Sequence, residues 1–396
     1  MGLLSKNINL AAIAAALLAA SIFPVQAETA QGDGFPTKAP QVLLIDDGSD
    51  TVLLSKNPDK KVPPASLAKL MTAEIVFDAL KGGQITLETA YPVSEYAWRT
   101  GGAPSRTSTM FARIKSTPTV ADLLQGMIVQ AANDGAIVLA EGLAGSEQAF
   151  AGKMNDRAAE LGLRDSRFVN ATGLPAQGQA VTLSDLTKLA RHIHSSYPEY
   201  YPYYAQPAFT WNNIFQRNRN PLLRLEVGAD GMGTGFAEES GYALVASAQQ
   251  HGRRLFLAMS GLASAREREE EARKLIEWGM NAFDKVHIYA ANERVGEAQV
   301  FGGALNHVAL KVDADVELLL PKEGRNRLKA RILYDGPLHA PLEADKQIGS
   351  MQFELDGNIV RQIPLFTAQP VVMGSLSQRA MGAAFELATG WLRKYF

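Results

Sequence analysis

The stretch Pro64-Ala-Ser-Leu-Ala-Lys-Leu-Met-Thr72 decides how the fold of this sequence is interpreted, because it places a chemical motif at the start of a helix. The adjacent residues Pro63 and Pro64 end any helix upstream. After Ser66, apolar residues recur at spacings of three and four, at Leu70, Ala73, Phe77 and Leu80. Because this period is typical of one helix face, we predict a helix that begins at Ser66.

Ser66 and Lys69 are the residues of this stretch that carry chemistry. Three residues apart on a helix, they project from one face, so the lysine amine can reach the serine hydroxyl and, when desolvated, act as its base. The Ser66 amide, free at a helix N-terminus, is also available to bind an oxyanion. The competing interpretation is a capping serine beside a solvated lysine, which a Ser-x-x-Lys motif alone does not exclude.

Two further motifs follow, Gln130-Ala-Ala-Asn-Asp134 and Asp230-Gly-Met-Gly-Thr-Gly235. The small side chains from Met232 to Gly235 fit a strand edge where a peptide backbone must come near. The Gly-x-Gly-x-Gly spacing is not that of a dinucleotide-binding loop, so no nucleotide cofactor is expected. Arg217-Asn-Arg-Asn220 is a short basic patch, which is more often solvated surface than a nucleic-acid contact.

Strands and helices are mixed around these motifs. Alternating apolar runs on either side of turns predict β-hairpins over residues 41–54 and 242–261. Thr119 and Thr182 each precede an aspartate by three residues, which predicts two capped helices. Helical periodicity returns over residues 275–283. An antiparallel sheet with helices and no regular βαβ alternation is an α+β pattern.

The character of the sequence changes near Asp284, after which short alternating strands predominate. We therefore expect a catalytic domain over residues 28–284 and a small all-β domain over residues 285–372. Residues 373–396 form a wide apolar helical face with basic residues on the other side, which favours a helix lying in a membrane interface. The alternative for this segment is a terminal helix docked on its own domain.

The N-terminal residues 1–27 predict an export signal. Lys6 supplies positive charge, a run of apolar residues follows, and small residues before Ala27 offer a cleavage site. An uncleaved membrane anchor is the alternative, but the apolar run is shorter than the roughly 18–20 residues that cross a bilayer. We therefore expect an exported, periplasmic protein, attached peripherally to the inner membrane through its C-terminal helix.

Composition excludes several classes of function. The chain of 396 residues contains no cysteine, which removes disulfides, thiol nucleophiles and Cys-ligated metal sites together. Its 39 basic and 41 acidic residues give a formal charge of -2, so no overall charge bias points to nucleic acid. The six histidines show no His-Glu-x-x-His arrangement, and we expect neither a metal nor another cofactor.

The order of the three motifs and the sequences that flank them resemble those of the low-molecular-mass penicillin-binding proteins that are D-alanyl-D-alanine carboxypeptidases. The segments that carry the resemblance are Pro64 to Thr72, Val129 to Asp134, Phe168 to Gly173, Gln216 to Asn220 and Gly241 to Ser247. Such enzymes have Ser-x-x-Lys, Ser-x-Asn and Lys-Thr-Gly motifs. The resemblance implies a penicillin-binding, β-lactamase-like catalytic domain, followed by an all-β domain and an amphipathic tail. It also implies a serine enzyme that removes the terminal D-alanine from peptidoglycan stem pentapeptides.

By this resemblance, Ser66 is the nucleophile, Lys69 is its base, and Asn133 orients the substrate amide and the lysine. The implied substrate-binding residues are Gly233, Thr234, Gly235, Phe236 and Arg268. Among these, Thr234 would bind the terminal carboxylate, Gly235 would let the strand approach, and the Phe236 amide would complete the oxyanion hole with the Ser66 amide. Arg268 matches an arginine that family members keep near the carboxylate site, and the alternative for its charged run, residues 266–271, is a solvated helical face. The implied partners are peptidoglycan stem peptides, β-lactam antibiotics as covalent inhibitors and a membrane surface.

Two positions depart from the family pattern. Ala131 stands where the family has the serine of Ser-x-Asn, and Gly233 stands where it has the lysine of Lys-Thr-Gly. The lost hydroxyl removes a proton relay, and the lost ammonium removes a charge that attracts the substrate carboxylate. These departures keep open an alternative: a degenerate, catalytically weak homologue that binds peptidoglycan or organises cell-wall partners. A β-lactamase shares the serine chemistry but usually lacks a second β-rich domain and a membrane tail.

Overall fold

The structure is a computed structural model that describes residues 35–323, 325–355 and 357–380. The predicted export signal, residues 1–27, lies outside these ranges. Of the predicted amphipathic tail, residues 376–380 are helical, and residues 381–396 lie outside the described part of the chain. No helix among the described residues is both long enough and apolar enough to cross a membrane.

A five-stranded antiparallel sheet forms the centre of the N-terminal part of the molecule. Its strands run in the order β2-β1-β7-β6-β5, so β5 forms one edge and pairs only with β6. Both predicted hairpins, β1–β2 and β6–β7, are present. The strand bounds are β1 (Gln41–Asp46), β2 (Thr51–Lys56), β5 (Ala229–Ala237), β6 (Gly241–Gln250) and β7 (Arg253–Leu262). A separate hairpin joins β3 (Ala208–Trp211) to β4 (Ile214–Arg217).

Helices cover both faces of this sheet. Because strand side chains alternate between faces, Val245 packs into one core while its neighbours Leu244 and Ala246 pack into the other. The larger core lies between the sheet and a cluster of helices, and α7 covers the opposite face. The helices are α1 (Lys69–Lys81), α2 (Glu95–Thr100), α3 (Val120–Val129), α4 (Asn133–Ala144), α5 (Glu147–Glu160), α6 (Leu183–Ser196) and α7 (Ala265–Asn281).

The helix predicted to begin at Ser66 differs in its first turn. Residues Ala65–Ala68 form a 3-10 turn, and regular α-helix begins only at Lys69. Ala65 adopts a left-handed conformation, with a φ of 47°, and the Leu67 amide donates to the Pro64 carbonyl at 3.1 Å. A left-handed residue cannot continue an α-helix, so the turn tightens before α1 starts.

Two helices, α4, which begins within the second motif, and α5, which follows it, are absent from our sequence prediction. Residues 133–140 of α4 are all buried, so its sequence shows no polar face and therefore no amphipathic period. In α5, by contrast, Ser146 caps the helix by accepting from the Ala149 amide, and Phe150, Met154 and Ala158 share one buried face. The sequence of α5 therefore contains a capping residue and an amphipathic period from which the helix could have been predicted. The sequence of α4 contains no amphipathic period.

The C-terminal part is built almost wholly of strands, which confirms the α+β domain followed by an all-β domain. Strand β8 follows α7 directly and pairs with β11, and a six-stranded sheet runs in the order β12-β14-β15-β10-β9-β13. One hydrophobic core joins both sheets. The bounds are β8 (Phe283–Tyr289), β9 (Arg294–Phe301), β10 (His307–Lys311), β11 (Val316–Pro321), β12 (Lys329–Tyr334), β13 (Leu338–His339), β14 (Gln347–Leu355) and β15 (Asn358–Thr367).

Candidate active site

Ser66 and Lys69 meet at the base of a cleft, as the spacing of the first motif predicts. The Lys69 Nζ lies 3.2 Å from the Ser66 Oγ, and it donates a second hydrogen bond to the Thr172 carbonyl at 2.6 Å. Lys69 is only 6% exposed, and burial lowers its pKa to about 7, against the opposing charges of Asp134 and Glu147. A lysine amine with this pKa is substantially neutral near pH 7, so it can accept the serine proton.

The turn that holds Lys69 lies far away in sequence, at residues 168–173. The Asn170 Oδ1 accepts from the Thr172 hydroxyl at 3.0 Å and from the Gly173 amide at 2.7 Å. Gly173 has a φ of +78°, and a Cβ at this position would lie 1.7 Å from the Ala65 carbonyl oxygen. Only glycine fits here, because both the backbone conformation and the close approach exclude a side chain. Sequence reasoning gave no role to the Thr172 carbonyl, since backbone groups carry no motif of their own.

Asn133, from the second motif, begins α4 beside the cleft. It is 4% exposed, its amide donates to the Ser108 carbonyl at 2.7 Å, and its Nδ2 donates to the Thr107 hydroxyl at 2.9 Å. Its Oδ1 is buried and has no hydrogen-bond partner within the described part of the chain. A buried acceptor without a partner is costly, so an additional donor at this oxygen would be stabilising. Asn133 itself is not among the residues that line the cleft. Ala131 lines the cleft and brings no polar group to it.

Asp134 fastens the second motif to the rest of the domain. Its carboxylate accepts from the Thr109 hydroxyl at 2.6 Å and from the Met110 and Ala112 amides at 2.9 and 3.0 Å. Burial raises the pKa of Asp134, and these hydrogen bonds oppose that shift. The aspartate is therefore a structural residue that fixes the start of α4, where Asn133 lies.

The third motif forms the wall of the cleft opposite the second. Gly233 and Thr234 line the cleft on the edge strand β5. A Cβ at Gly235 would lie 3.2 Å from the Ala65 Cβ and from the Pro64 carbonyl oxygen, which is a tight contact. A Cβ at Gly233 would meet only the Leu67 side chain, at 3.9 Å. The strand therefore approaches the serine turn most closely at Gly235 and leaves side-chain room at Gly233.

Phe236 and Arg268 lie beyond this wall. Phe236 is 53% exposed and packs against the Tyr242 ring with centroids 4.5 Å apart. Arg268, on α7, is buried with its guanidinium 5.7 Å from the centre of the same Tyr242 ring. Burial lowers its pKa. Arg268 is not among the residues that line the cleft, so it reaches the motif strand through Tyr242.

The cleft has a volume of about 370 Å³, including the open space at its mouth. Within the part of the chain that the structure describes, its lining contains no aspartate or glutamate, and its charged groups are Lys69 and Arg219. The lining residues are Ser66, Lys69, Leu70, Met127, Ile128, Ala131, Tyr204, Asn218, Arg219, Asn220, Met232, Gly233 and Thr234. Sequence reasoning placed residues 217–220 on solvated surface: Arg217 and Arg219 are exposed, Asn220 is buried, and residues 218–220 also line the cleft. Across the described residues, no cluster of potential metal ligands is present.

Comparisons with known proteins agree with this architecture. A family model described as D-alanyl-D-alanine carboxypeptidase matches residues 26–262, and one described as the C-terminal domain of penicillin-binding protein 5 matches residues 283–372. The D-alanyl-D-alanine carboxypeptidase DacC of Escherichia coli is 35% identical over 89% of this chain and 89% of its own length. DacA of the same organism is 34% identical over 85% of this chain and 84% of its own.

Solved structures show the same similarity. Penicillin-binding protein 5 from Haemophilus influenzae superposes with a TM-score of 0.71 at 34% identity, covering 85% of this chain and 98% of that protein. Penicillin-binding protein 6B from Escherichia coli superposes with a TM-score of 0.65 at 32% identity, covering 83% and 95%. The similarity extends over both the sheet-and-helix part and the C-terminal strands.

Proposed function

The chain belongs to the D-alanyl-D-alanine carboxypeptidase family of serine peptidases, and we propose that it removes the terminal D-alanine from peptidoglycan stem pentapeptides through an acyl-enzyme on Ser66. The observation that carries this proposal is the 3.2 Å separation between the Ser66 hydroxyl and a buried lysine amine whose pKa is lowered to about 7. A hydroxyl is a weak nucleophile unless a neighbouring base removes its proton, and Lys69 meets that need.

In the first half of the proposed reaction, the Ser66 Oγ attacks the carbonyl carbon of the penultimate D-alanine, and its proton passes to the Lys69 Nζ. The carbon–nitrogen bond then breaks, and the leaving D-alanine amine takes a proton from Lys69. In the second half, water attacks the ester and gives a proton to Lys69, and the Ser66 Oγ leaves and recovers its hydrogen. Lys69 is therefore neutral before each attack and charged after it.

The surrounding groups have separate tasks in this proposal. The Asn133 side chain orients the substrate amide and Lys69, which accords with its buried, unpartnered Oδ1. Thr234 hydrogen-bonds the substrate carboxylate, and the amides of Ser66 and Phe236 stabilise the oxyanion. Gly233 and Gly235 let the peptide run along the free edge of β5, as an added strand does. Arg268 contributes positive charge near this edge.

The departures at Ala131 and Gly233 bear on how fast such an enzyme works. A proton relay of the kind that a hydroxyl at position 131 provides is usually worth about 10²–10⁴-fold in rate. A homologue that binds peptidoglycan without turnover is the alternative that these two residues favour. Residues that act as a unit do not lose activity additively, so both losses together need not abolish the reaction.

Release of D-alanine from a stem pentapeptide by the purified protein tests the proposal. We expect D-alanine and tetrapeptide in equal amounts from the natural chain, and none above background from Ser66→Ala. Ser195→Ala is the matched control, because Ser195 is an exposed serine on α6 that bonds only the His192 carbonyl. Binding of the pentapeptide without release would instead establish the non-catalytic alternative.

For location, we propose export by the N-terminal segment and peripheral attachment to the inner membrane by the C-terminal segment. Support comes from the charge and apolar pattern of residues 1–27 and 373–396. Val372, Met373 and Leu376, at the start of the tail, are exposed apolar residues. Deletion of residues 374–396 should move the protein from the membrane fraction to the soluble fraction, and an unchanged distribution would contradict attachment by the tail.

A further inference from the structure

We propose that Arg219 binds the terminal carboxylate of the substrate, in place of the ammonium group that position 233 lacks. This inference rests on the proposed function, because it assigns a residue to recognition of the same peptide end. It concerns Arg219 in the Gln216–Asn220 segment, which connects β4 to the rest of the domain.

Among the described residues that line the cleft, the charges leave one cation for this task. No acidic side chain is found in this part of the lining, so a carboxylate entering the cleft meets no repulsion from it. Lys69 is buried, contacts Ser66 and Thr172, and is near neutrality when it acts as a base. Arg219 is exposed at the cleft and, as an arginine, keeps its charge throughout the working pH range.

The position of Arg219 is fixed from both walls of the cleft. Its amide donates to the Val129 carbonyl at 3.0 Å, and its Nε donates to the Gln130 Oε1 at 3.1 Å, directly before Ala131. The next residue, Asn220, is buried, and its Nδ2 donates to the Gly231 carbonyl on β5 at 2.8 Å. Arg219 is thus held between the loop that contains Ala131 and the strand β5, which contains Gly233.

The terminal nitrogens of Arg219 remain available. Among the described residues, its side chain makes no hydrogen bond besides that of Nε to Gln130, and no ion pair. A guanidinium offers two parallel donors that match a carboxylate, a geometry that a single ammonium group cannot provide. Arg219, Gly233 and Thr234 line the same cleft, and a Cβ at Gly233 would meet only the Leu67 side chain, at 3.9 Å.

Substrate pairs that differ only in the carboxylate test this assignment. The measurement is kcat/KM for a pentapeptide and for its C-terminal amide, together with the acylation rate by benzylpenicillin and by its methyl ester. For Arg219→Gln we expect the preference for the carboxylate form to fall roughly 10- to 100-fold in each pair. Arg219→Lys should retain part of the preference, because it keeps the charge and loses the bidentate geometry.

Two further variants separate a direct role from a structural one. Arg217→Gln is the matched control, since Arg217 is an exposed arginine on β4 that does not line the cleft, and it should keep the natural preference. Adding Gly233→Lys to Arg219→Gln should restore the preference, because it returns a cation to the same carboxylate. A loss that Gly233→Lys does not restore, with a lowered melting temperature, would show that Arg219 only supports the fold.

The outcome that overturns the inference is an unchanged preference for the carboxylate in Arg219→Gln, in both the peptide pair and the penicillin pair. Failure of the proposed function is a different result. If the natural chain releases no D-alanine but its acylation by penicillin still depends on the carboxylate through Arg219, the function is wrong and the assignment of Arg219 stands.

Discussion

The two sides of the cleft differ in what they retain. On the serine side, Ser66 and Lys69 provide the hydroxyl and the amine that the proposed reaction uses. The Thr172 carbonyl holds the Lys69 amine by a hydrogen bond of 2.6 Å. The two walls above the serine side, one formed by residues 130–134 and the other by residues 231–235 of β5, are together called the second side here, and their residues Ala131 and Gly233 contribute no polar side chain. In the proposed reaction, the nucleophile and its base therefore both lie on the serine side.

The backbone of the second side is held by contacts that do not involve a side chain at position 131 or position 233. Asp134 anchors the start of α4 through backbone amides, and Gly235 sets the approach of β5 to the serine turn. Neither device involves position 131 or position 233. Substitutions at positions 131 and 233 should therefore leave the backbone of the cleft in place.

The largest effect is expected on the serine side, from Lys69→Met. Removing the base should lower the acylation rate by about 10²–10⁴-fold, because no other group lies within hydrogen-bonding distance of the Ser66 hydroxyl among the described residues. Lys153→Met, at an exposed lysine on α5, is the control and should leave acylation unchanged. Normal acylation of Lys69→Met would show that Lys69 is not the base. It would also contradict the contrast between the two sides of the cleft.

The pH dependence of acylation sharpens the same contrast. Because the neutral amine is the active form and its pKa is about 7, the rate should rise with pH through this value, with about a tenfold fall per unit well below it. The negative charge of Glu147 raises the pKa of Lys69, so Glu147→Gln should move the midpoint to lower pH. A midpoint that stays in place in this variant would mean that another group controls the profile.

Restoring the second side should have an intermediate effect. In Ala131→Ser with Gly233→Lys, kcat/KM for pentapeptide should rise by about tenfold or more, since a relay and a charge return to a cleft of unchanged shape. Space exists for the lysine, because a Cβ at position 233 meets its first neighbour at 3.9 Å. If the double variant folds normally and gains nothing, other groups already perform both tasks.

A pair of alanine substitutions on β5 should give the smallest effects. Gly235→Ala forces a Cβ to 3.2 Å from the Ala65 Cβ and should slow acylation by roughly tenfold, through the displacement of the serine turn. Gly233→Ala adds a Cβ in open space and should change the rate by less than about twofold. Acylation by a fluorescent penicillin measures both, and equal effects would show that the strand does not approach the turn most closely at Gly235.

Part of the site could be predicted from the sequence because its signals are local. The Ser66–Lys69 spacing, the small residues of β5 and the cap at Thr119 each depend on neighbours within a few residues. The carbonyl of Thr172 and the guanidinium of Arg219 could not be assigned in the same way, since each reaches the site only through the folding of distant segments. The 3-10 turn at Ala65 was also missed, and it lies against Gly173, a residue distant in sequence.

The most direct test of Ser66 as the nucleophile is to map the covalent adduct that benzylpenicillin forms with the purified chain. Trypsin should release residues 62–69 as one peptide, since lysines stand at positions 61 and 69. The penicilloyl mass should lie on this peptide, at Ser66, and Ser66→Ala should carry none. An adduct on any other peptide, or labelling that survives in Ser66→Ala, would contradict this assignment.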